Sequence, residues 1–180
     1  MNHVHHASRS NKSATQQSAY ANAPDNSRTV NQKRNFFTTS PKMAATYTGS
    51  CKCAAIRIEI TGEPAKTSLC HCENCKKYSG SAYSANAIFP KSAFTIVAGE
   101  PKVYETPGGS GNVTSISFCG NCGCTMWSES PTLADLIIVK IGVLDGDAME
   151  KLKPRGELFT KRRPGWLGDV DGAVQMEAGH

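Results

Sequence analysis

The sequence predicts an all-β domain behind a polar leader. Three observations point there. Short β-forming segments recur from residue 46 to residue 141, Gly- and Pro-rich breakers separate them, and no stretch sustains helical periodicity. The chain's 180 residues suit one domain with extensions rather than two full domains. Apolar residues make up 39%, diluted by 16 Gly and 9 Pro, and a chain this long still buries a core at that figure. The longest aliphatic run, Leu136-Ile137-Ile138-Val139, ends at Lys140, far short of the ~20 apolar residues that cross a bilayer. No membrane partner is expected.

Residues 1–45 are read as the leader and 46–180 as the working domain, with its core over 46–150 and a C-terminal extension over 151–180. Up to residue 42 the leader is rich in Ser, Asn, Gln and Thr and almost free of aliphatic residues, a composition that stays disordered in isolation. It has no apolar run long enough for a secretory signal. Its basic, acid-poor character fits a mitochondrial transit peptide or an untargeted tail, so the cytoplasm and the mitochondrion are the expected compartments. His3, His5 and His6 fit a tag remnant or a solvated tail better than a metal site. Residues 1–45 hold six Lys/Arg against Asp25, whereas residues 46–180 hold fourteen of each sign. The net charge of +5 therefore belongs to the leader. A neutral domain gives little electrostatic support for nucleic acid, and none is expected as a partner.

Within the domain, strands are expected over 46–48, 55–60, 83–89, 94–97, 103–105, 113–118, 125–127 and 136–141. Residues 55–60 alternate Ile with charge, and the others carry β-branched or aromatic residues. Thr61-Gly62-Glu63-Pro64, Gly99-Glu100-Pro101, the Gly-rich 107–111 and Asp145-Gly146-Asp147 supply the turns. Short helices are expected over 73–78 and 131–135. No Gly-rich dinucleotide fingerprint or Walker-type loop is present, so the usual modes of nucleotide-phosphate binding are unsupported.

All eight cysteines lie between residues 51 and 124, as Cys51-x-Cys53, Cys70-x-Cys72-x-x-Cys75 and Cys119-x-x-Cys122-x-Cys124. Without a secretory signal a disulfide scaffold lacks its compartment, and a C-x-C pair is poorly placed to bridge itself. Thiolates two or three positions apart on a tight turn converge readily on one tetrahedral zinc. In Phe118-Cys119-Gly120-Asn121-Cys122-Gly123, a Gly after each Cys permits positive φ and lets backbone N–H groups turn toward sulfur. Cys51, Cys53, Cys119 and Cys122 supply the four ligands of a closed structural site. Cys70, Cys72 and Cys75 supply three, which leaves a position open as in catalytic zinc. Cys124 or His71 could instead close this second site.

These residues resemble a known family. Gly49-Ser50-Cys51-Lys52-Cys53, then Cys70-His71-Cys72-Glu73-Asn74-Cys75-Lys76-Lys77 leading to Ser79-Gly80-Ser81, then Phe118-Cys119-Gly120-Asn121-Cys122-Gly123 are similar to the glutathione-dependent formaldehyde-activating enzymes, a group that includes centromere protein V. The likeness covers about residues 46–150 and continues more weakly through 159–166; the leader has no counterpart. The resemblance implies a β-tent, Mss4-like fold with two Zn2+ per chain. The structural ion falls to Cys51, Cys53, Cys119 and Cys122, and the catalytic ion to Cys70, Cys72 and Cys75. It also implies a carbon–sulfur lyase that joins glutathione, as co-substrate, to formaldehyde.

A zinc held by three thiolates suits an incoming thiol, which coordination deprotonates. Proton carriers are scarce. His71, between two ligands, is read as packing rather than acid–base, and Glu73, Tyr78 and Tyr83 as structural. Ser79-Gly80-Ser81 reads equally as a pocket wall and as a turn. Lys161-Arg162-Arg163 could clamp carboxylates but reads better as a solvated run. Phe159 and Trp166 are expected to pack in the core. The expected partner is a small molecule, a glutathione adduct or a relative; oligomeric state is not legible. The competing functions are a glutathione-independent dehydratase or isomerase and a non-catalytic zinc module. Methionine sulfoxide reduction would need a redox cysteine, and only Cys124 is spare.

Overall fold

A computed structural model describes residues 44–108 and 111–179. Apart from its last two residues, the leader read over 1–45 lies outside the described residues. The fold is all-β, as the segment pattern predicts. A three-stranded sheet has the order β1 (Thr46–Ser50), β2 (Arg57–Thr61), β5 (Phe94–Ala98). An eight-stranded sheet is built from β3 (Lys66–Cys70), β4 (Ser84–Pro90), β6 (Lys102–Pro107), β7 (Val113–Phe118), β8 (Thr125–Glu129), β9 (Leu136–Lys140), β10 (Gly156–Leu158) and β11 (Val174–Met176). Its order is β11-β10-β3-β4-β9-β8-β7-β6. Pairing is antiparallel except where β10 lies parallel to β3 and to β11.

The alternation visible in the sequence decides which face goes inward. Ile58 and Ile60 of β2 and Tyr47 of β1 point into the space between the sheets, while Thr46, Arg57 and Glu59 stay exposed. Tyr47 meets Phe89 with ring centroids 5.7 Å apart, and Phe94 meets Trp127 edge-on at 4.9 Å. Ala87, Phe89, Met126, Ile137 and Val139 add to the large sheet's contribution to this core.

The register also fixes what the other face carries. Cys70 pairs with Ser84, and Asn86 pairs with Lys140. Directly paired residues share a face, as do residues two apart on a strand. Cys70, Ser84, Asn86 and Lys140 therefore form a polar strip on the face turned away from Phe89 and Val139.

The eight expected strands are all present, with ends shifted by up to two residues. Residues 55 and 56 belong to a turn, so β2 starts at Arg57. Three further strands were not expected. β3 reads Lys-Thr-Ser-Leu-Cys, too polar to signal a strand alone, yet it is buried between β4 and β10. β10 and β11 have three residues each and exist through pairing with β3 and with one another. The helix expected over 73–78 is α1 (Glu73–Ser79), whereas the stretch over 131–135 is only a 3-10 turn at Pro131–Leu133. A second helix, α2 (Ala148–Lys151), is a single turn.

Candidate metal centres

The first cysteine cluster forms where two knuckles meet. Residues 51–56 turn sharply between β1 and β2: the Ala54 N–H donates to the Cys51 carbonyl at 2.8 Å, and the Ile56 N–H donates to Cys51 Sγ at 3.3 Å. Gly99, after β5, lies directly on this turn with φ +80; a Cβ there would sit 2.1 Å from the Ala55 carbonyl oxygen. The second knuckle follows a bulge at the end of β7. Its Gly123 N–H donates to the Cys119 carbonyl, and the Cys119 N–H to the Cys124 carbonyl, both at 2.9 Å. Of the two glycines expected to take positive φ, only Gly123 does, at +73. Gly120 has an ordinary φ, and a Cβ there would press only on the flexible Lys102 side chain.

The four sulfurs of Cys51, Cys53, Cys119 and Cys122 all lie within 4.8 Å of one another. Cys53 is 3.6 Å from Cys51 and 3.7 Å from Cys119. These separations are far too long for disulfides. They match the edge of a tetrahedron with ~2.3 Å metal–sulfur bonds, about 3.8 Å. Cys51 and Cys119 are buried, and Cys53 and Cys122 are exposed. The Ala55 N–H and then the Asn121 side chain lower the Cys53 thiol; the latter donates to Sγ at 3.3 Å. The Cys124 N–H is the main cause lowering Cys122. This donor set fits a soft, tetrahedral divalent cation.

The second cluster sits where β3 runs into α1. Cys72 is the N-cap of α1, and its Sγ accepts from the Cys75 N–H at 3.4 Å. That cap turns Cys72 and Cys75 back toward Cys70 at the end of β3. Their three sulfurs lie within 4.8 Å of one another, and no fourth His, Cys, Asp or Glu joins them among the described residues. Neither Cys124 nor His71 closes the site. The thiols of Cys70 and Cys75, aided by the Cys75 and Asn74 N–H groups, hold Cys72 down at about 2 against partial burial. Cys70 is pushed up, first by Cys72, then by Cys75 and by burial. Against the pull of Cys70, which lowers it, Cys72 and burial push Cys75 up to about 11. Only a cation at the centre lets all three sulfurs ionise together.

A cavity of about 380 Å³ lies beside Ser84 and Tyr78, neighbours of the trio across the sheet and along α1, though the three cysteines do not themselves line it. Tyr78, Tyr83, Ser84, Cys124, Thr125 and Lys140 are among its walls. Tyr78 follows Cys75 by one helical turn, and Ser84 is the cross-strand partner of Cys70. Lys140 Nζ donates to Asn86 Oδ1 at 3.0 Å and to Ser128 Oγ at 3.4 Å, and its charge is felt by Cys75, Cys70 and Cys72. Burial lowers its ammonium below the usual range, against the opposing pull of those sulfurs. A larger concavity, about 610 Å³, lies near Tyr47, Glu63, Asp145 and Asp147. It has no cysteine, and each of its acids already binds Tyr47, Thr48 or Lys151.

Residues 46–162 match the family of glutathione-dependent formaldehyde-activating enzymes. The chain belongs to that family. An uncharacterized lyase of Schizosaccharomyces pombe is 32% identical over 85 residues, which is 45% of this chain and 56% of the relative. The match thus spans little more than half the length of that curated relative. A crystal structure of a Rhodobacter sphaeroides protein covers 72% of this chain and 98% of its own, with TM-score 0.47 and 20% identity.

In this family member the other candidates fall into place by their contacts. His71 is fully buried; its ring lies edge-on to Tyr83, and its Nε2 is 2.9 Å from Glu157 Oε2. Its Nδ1 has no hydrogen-bond partner among the described residues. Glu157, on β10, also accepts from Arg163 at 2.9 Å, Gln175 at 3.3 Å and the Val170 N–H. Against burial, which raises it, the Val170 N–H, His71, Gln175 and Arg163 hold Glu157 down at about 2. The basic run is therefore divided: Arg163 is committed to Glu157 and Gln175, and Lys161 to Glu177. Ser79 caps back onto the Cys75 and Tyr83 carbonyls, and Gly80 ends α1 at φ +59, so this stretch is first a turn. Trp166 is 78% exposed and not core, whereas Phe159 is half-buried. Sequence reasoning missed Lys140 and Glu157. The signal for Lys140 was present as a cation closing an aliphatic strand, but its target depends on the β4–β9 register.

Proposed function

We propose that the protein is a zinc-dependent carbon–sulfur lyase of small thiol adducts, with glutathione and formaldehyde as the substrates to be assayed. Cys51, Cys53, Cys119 and Cys122 hold a structural zinc, and Cys70, Cys72 and Cys75 a catalytic one. The observation carrying this reading is a three-sulfur cluster that no fourth His, Cys, Asp or Glu joins among the described residues, with a cavity that includes Ser84, Thr125 and Lys140 nearby. Family membership and the lyase-named relative support the reaction class. A zinc bound there supplies a Lewis acid that keeps an incoming thiol as thiolate.

The chain's own residues prepare the site. The Cys75 and Asn74 N–H groups direct negative charge onto Cys72. Asn86 and Ser128 hold the Lys140 amine at the cavity wall. Glu157 fixes the ring of His71 and with it the backbone joining Cys70 to Cys72. The net reaction adds a thiol S–H across an aldehyde C=O, forming one carbon–sulfur bond and one hydroxyl, or runs in reverse.

Purified chain is tested by metal analysis and by turnover of glutathione with formaldehyde. The expected result is about two zinc per chain, one released more readily to chelator, with formation of the hydroxymethyl thioether. Loss of the labile zinc with no loss of turnover would refute the assignment. Absence of any calorimetric signal with glutathione would leave the ion its role but remove this co-substrate.

A further inference from the structure

We propose that Lys140 is a catalytic residue that binds the substrate's oxygen and passes it a proton. The inference rests on the lyase reading above for its substrate. Its geometry stands independently. The ammonium carries three donors. Asn86 Oδ1 takes one at 3.0 Å and Ser128 Oγ another at 3.4 Å, both from buried side chains. No acceptor among the described residues is recorded for the third. Lys140 lines a cavity together with Ser84, the cross-strand partner of Cys70, and its charge is felt by Cys75, Cys70 and Cys72, so the oxygen of a small molecule held at the trio lies on the side from which this donor approaches.

Two features suit a reacting oxygen better than a structural ion pair. Among the described residues no carboxylate is paired with Lys140. Its fixed partners are neutral oxygens that aim the amine without neutralising it. His71, the nearest alternative in sequence, is committed to Glu157.

The step balances within the two substrates. The thiol releases its proton and its sulfur electron pair forms the C–S bond. The carbonyl π pair moves to oxygen, which takes a proton from Lys140 Nζ. The neutral amine recovers, through water, the proton the thiol released. Cleavage is the reverse: the amine withdraws the hydroxyl proton as the C–S bond breaks.

The test compares Lys140→Met, Lys140→Gln and Lys140→Arg in the zinc-loaded full chain. Formate serves as a one-carbon oxyanion probe in calorimetry, and glutathione with formaldehyde as the turnover assay. Zinc content should be unchanged in all three. Formate affinity should fall about tenfold or more in the Met and Gln variants. Turnover should fall about a hundredfold or more. Lys140→Arg should recover formate binding but not turnover, since a guanidinium does not give up its proton. Should Lys140→Met not fold, Lys140→Gln keeps a donor for Asn86 and carries the comparison. Wild-type formate affinity in the folded Gln variant, or undiminished turnover, would overturn the proposal. If the wild-type chain does not turn over glutathione and formaldehyde, the lyase reading fails, while the formate comparison still decides whether Lys140 binds the oxygen.

Discussion

A single sulfur means different things in the two clusters. Cys72 is half-buried and caps α1, and serine is itself a favoured N-cap that accepts from the same N–H. Cys72→Ser should therefore keep the fold, lose the readily released zinc and abolish turnover, as metal analysis and circular dichroism will show. Cys119 is buried in the core and belongs to the quartet. A structural zinc contributes on the order of 10 kcal/mol to folding, comparable to the whole stability of a domain. Cys119→Ser should unfold the chain; a soluble, folded Cys119→Ser protein would show that the quartet is not structural. Glu157 adds a pH dependence. Its folded pKa, about 2, lies below the ordinary 4.5, so its stabilisation is present above pH 4.5 and disappears as pH falls toward 2. Glu157→Gln should be less stable than wild type at neutral pH, with the gap narrowing over that acid range in denaturant titrations.

Individual elements were legible in proportion to how local their causes are. Tyr47, Ile58 and Ile60 declare their strands by alternation, and the cysteine spacing separated the two sulfur clusters that the fold brings together. β3 was hidden because Thr67 and Ser68 are polar yet buried, a cost met by neighbours distant in the chain: the Thr67 hydroxyl donates to the Lys153 carbonyl at 2.8 Å. β10 and β11 were hidden because three residues carry no periodicity and stand only by pairing. Lys140 and Glu157 belong to the same class, since their partners lie 54 and 86 residues away in Asn86 and His71. The contact of the β5 end with the first knuckle makes a specific prediction. Gly99→Ala would force a positive φ on a non-glycine residue and drive a Cβ against the Ala55 carbonyl. A cost of about 1–3 kcal/mol is expected in thermal or denaturant melts. Zinc loss from the quartet should be faster in the same protein.

At the scale of the whole molecule, the C-terminal segment is part of the large sheet and braces the trio. β10 lies beside β3 with Leu158 opposite Cys70, and Val170 and Gln175 help hold Glu157. Ending the chain after residue 167 removes β11 and both of those contacts. The shortened protein should keep the quartet's zinc and release the trio's more readily to chelator; equal release rates would show that the segment does not support that site. The two clusters also differ in the length of chain they close. Cys70, Cys72 and Cys75 fall within one short stretch, whereas Cys53 and Cys119 are 66 residues apart. During synthesis, the trio's thiols leave the ribosome together, but the quartet stays incomplete until Cys122 has emerged. On the proposed assignment, metal loading in a growing chain would begin at the trio and finish at the quartet.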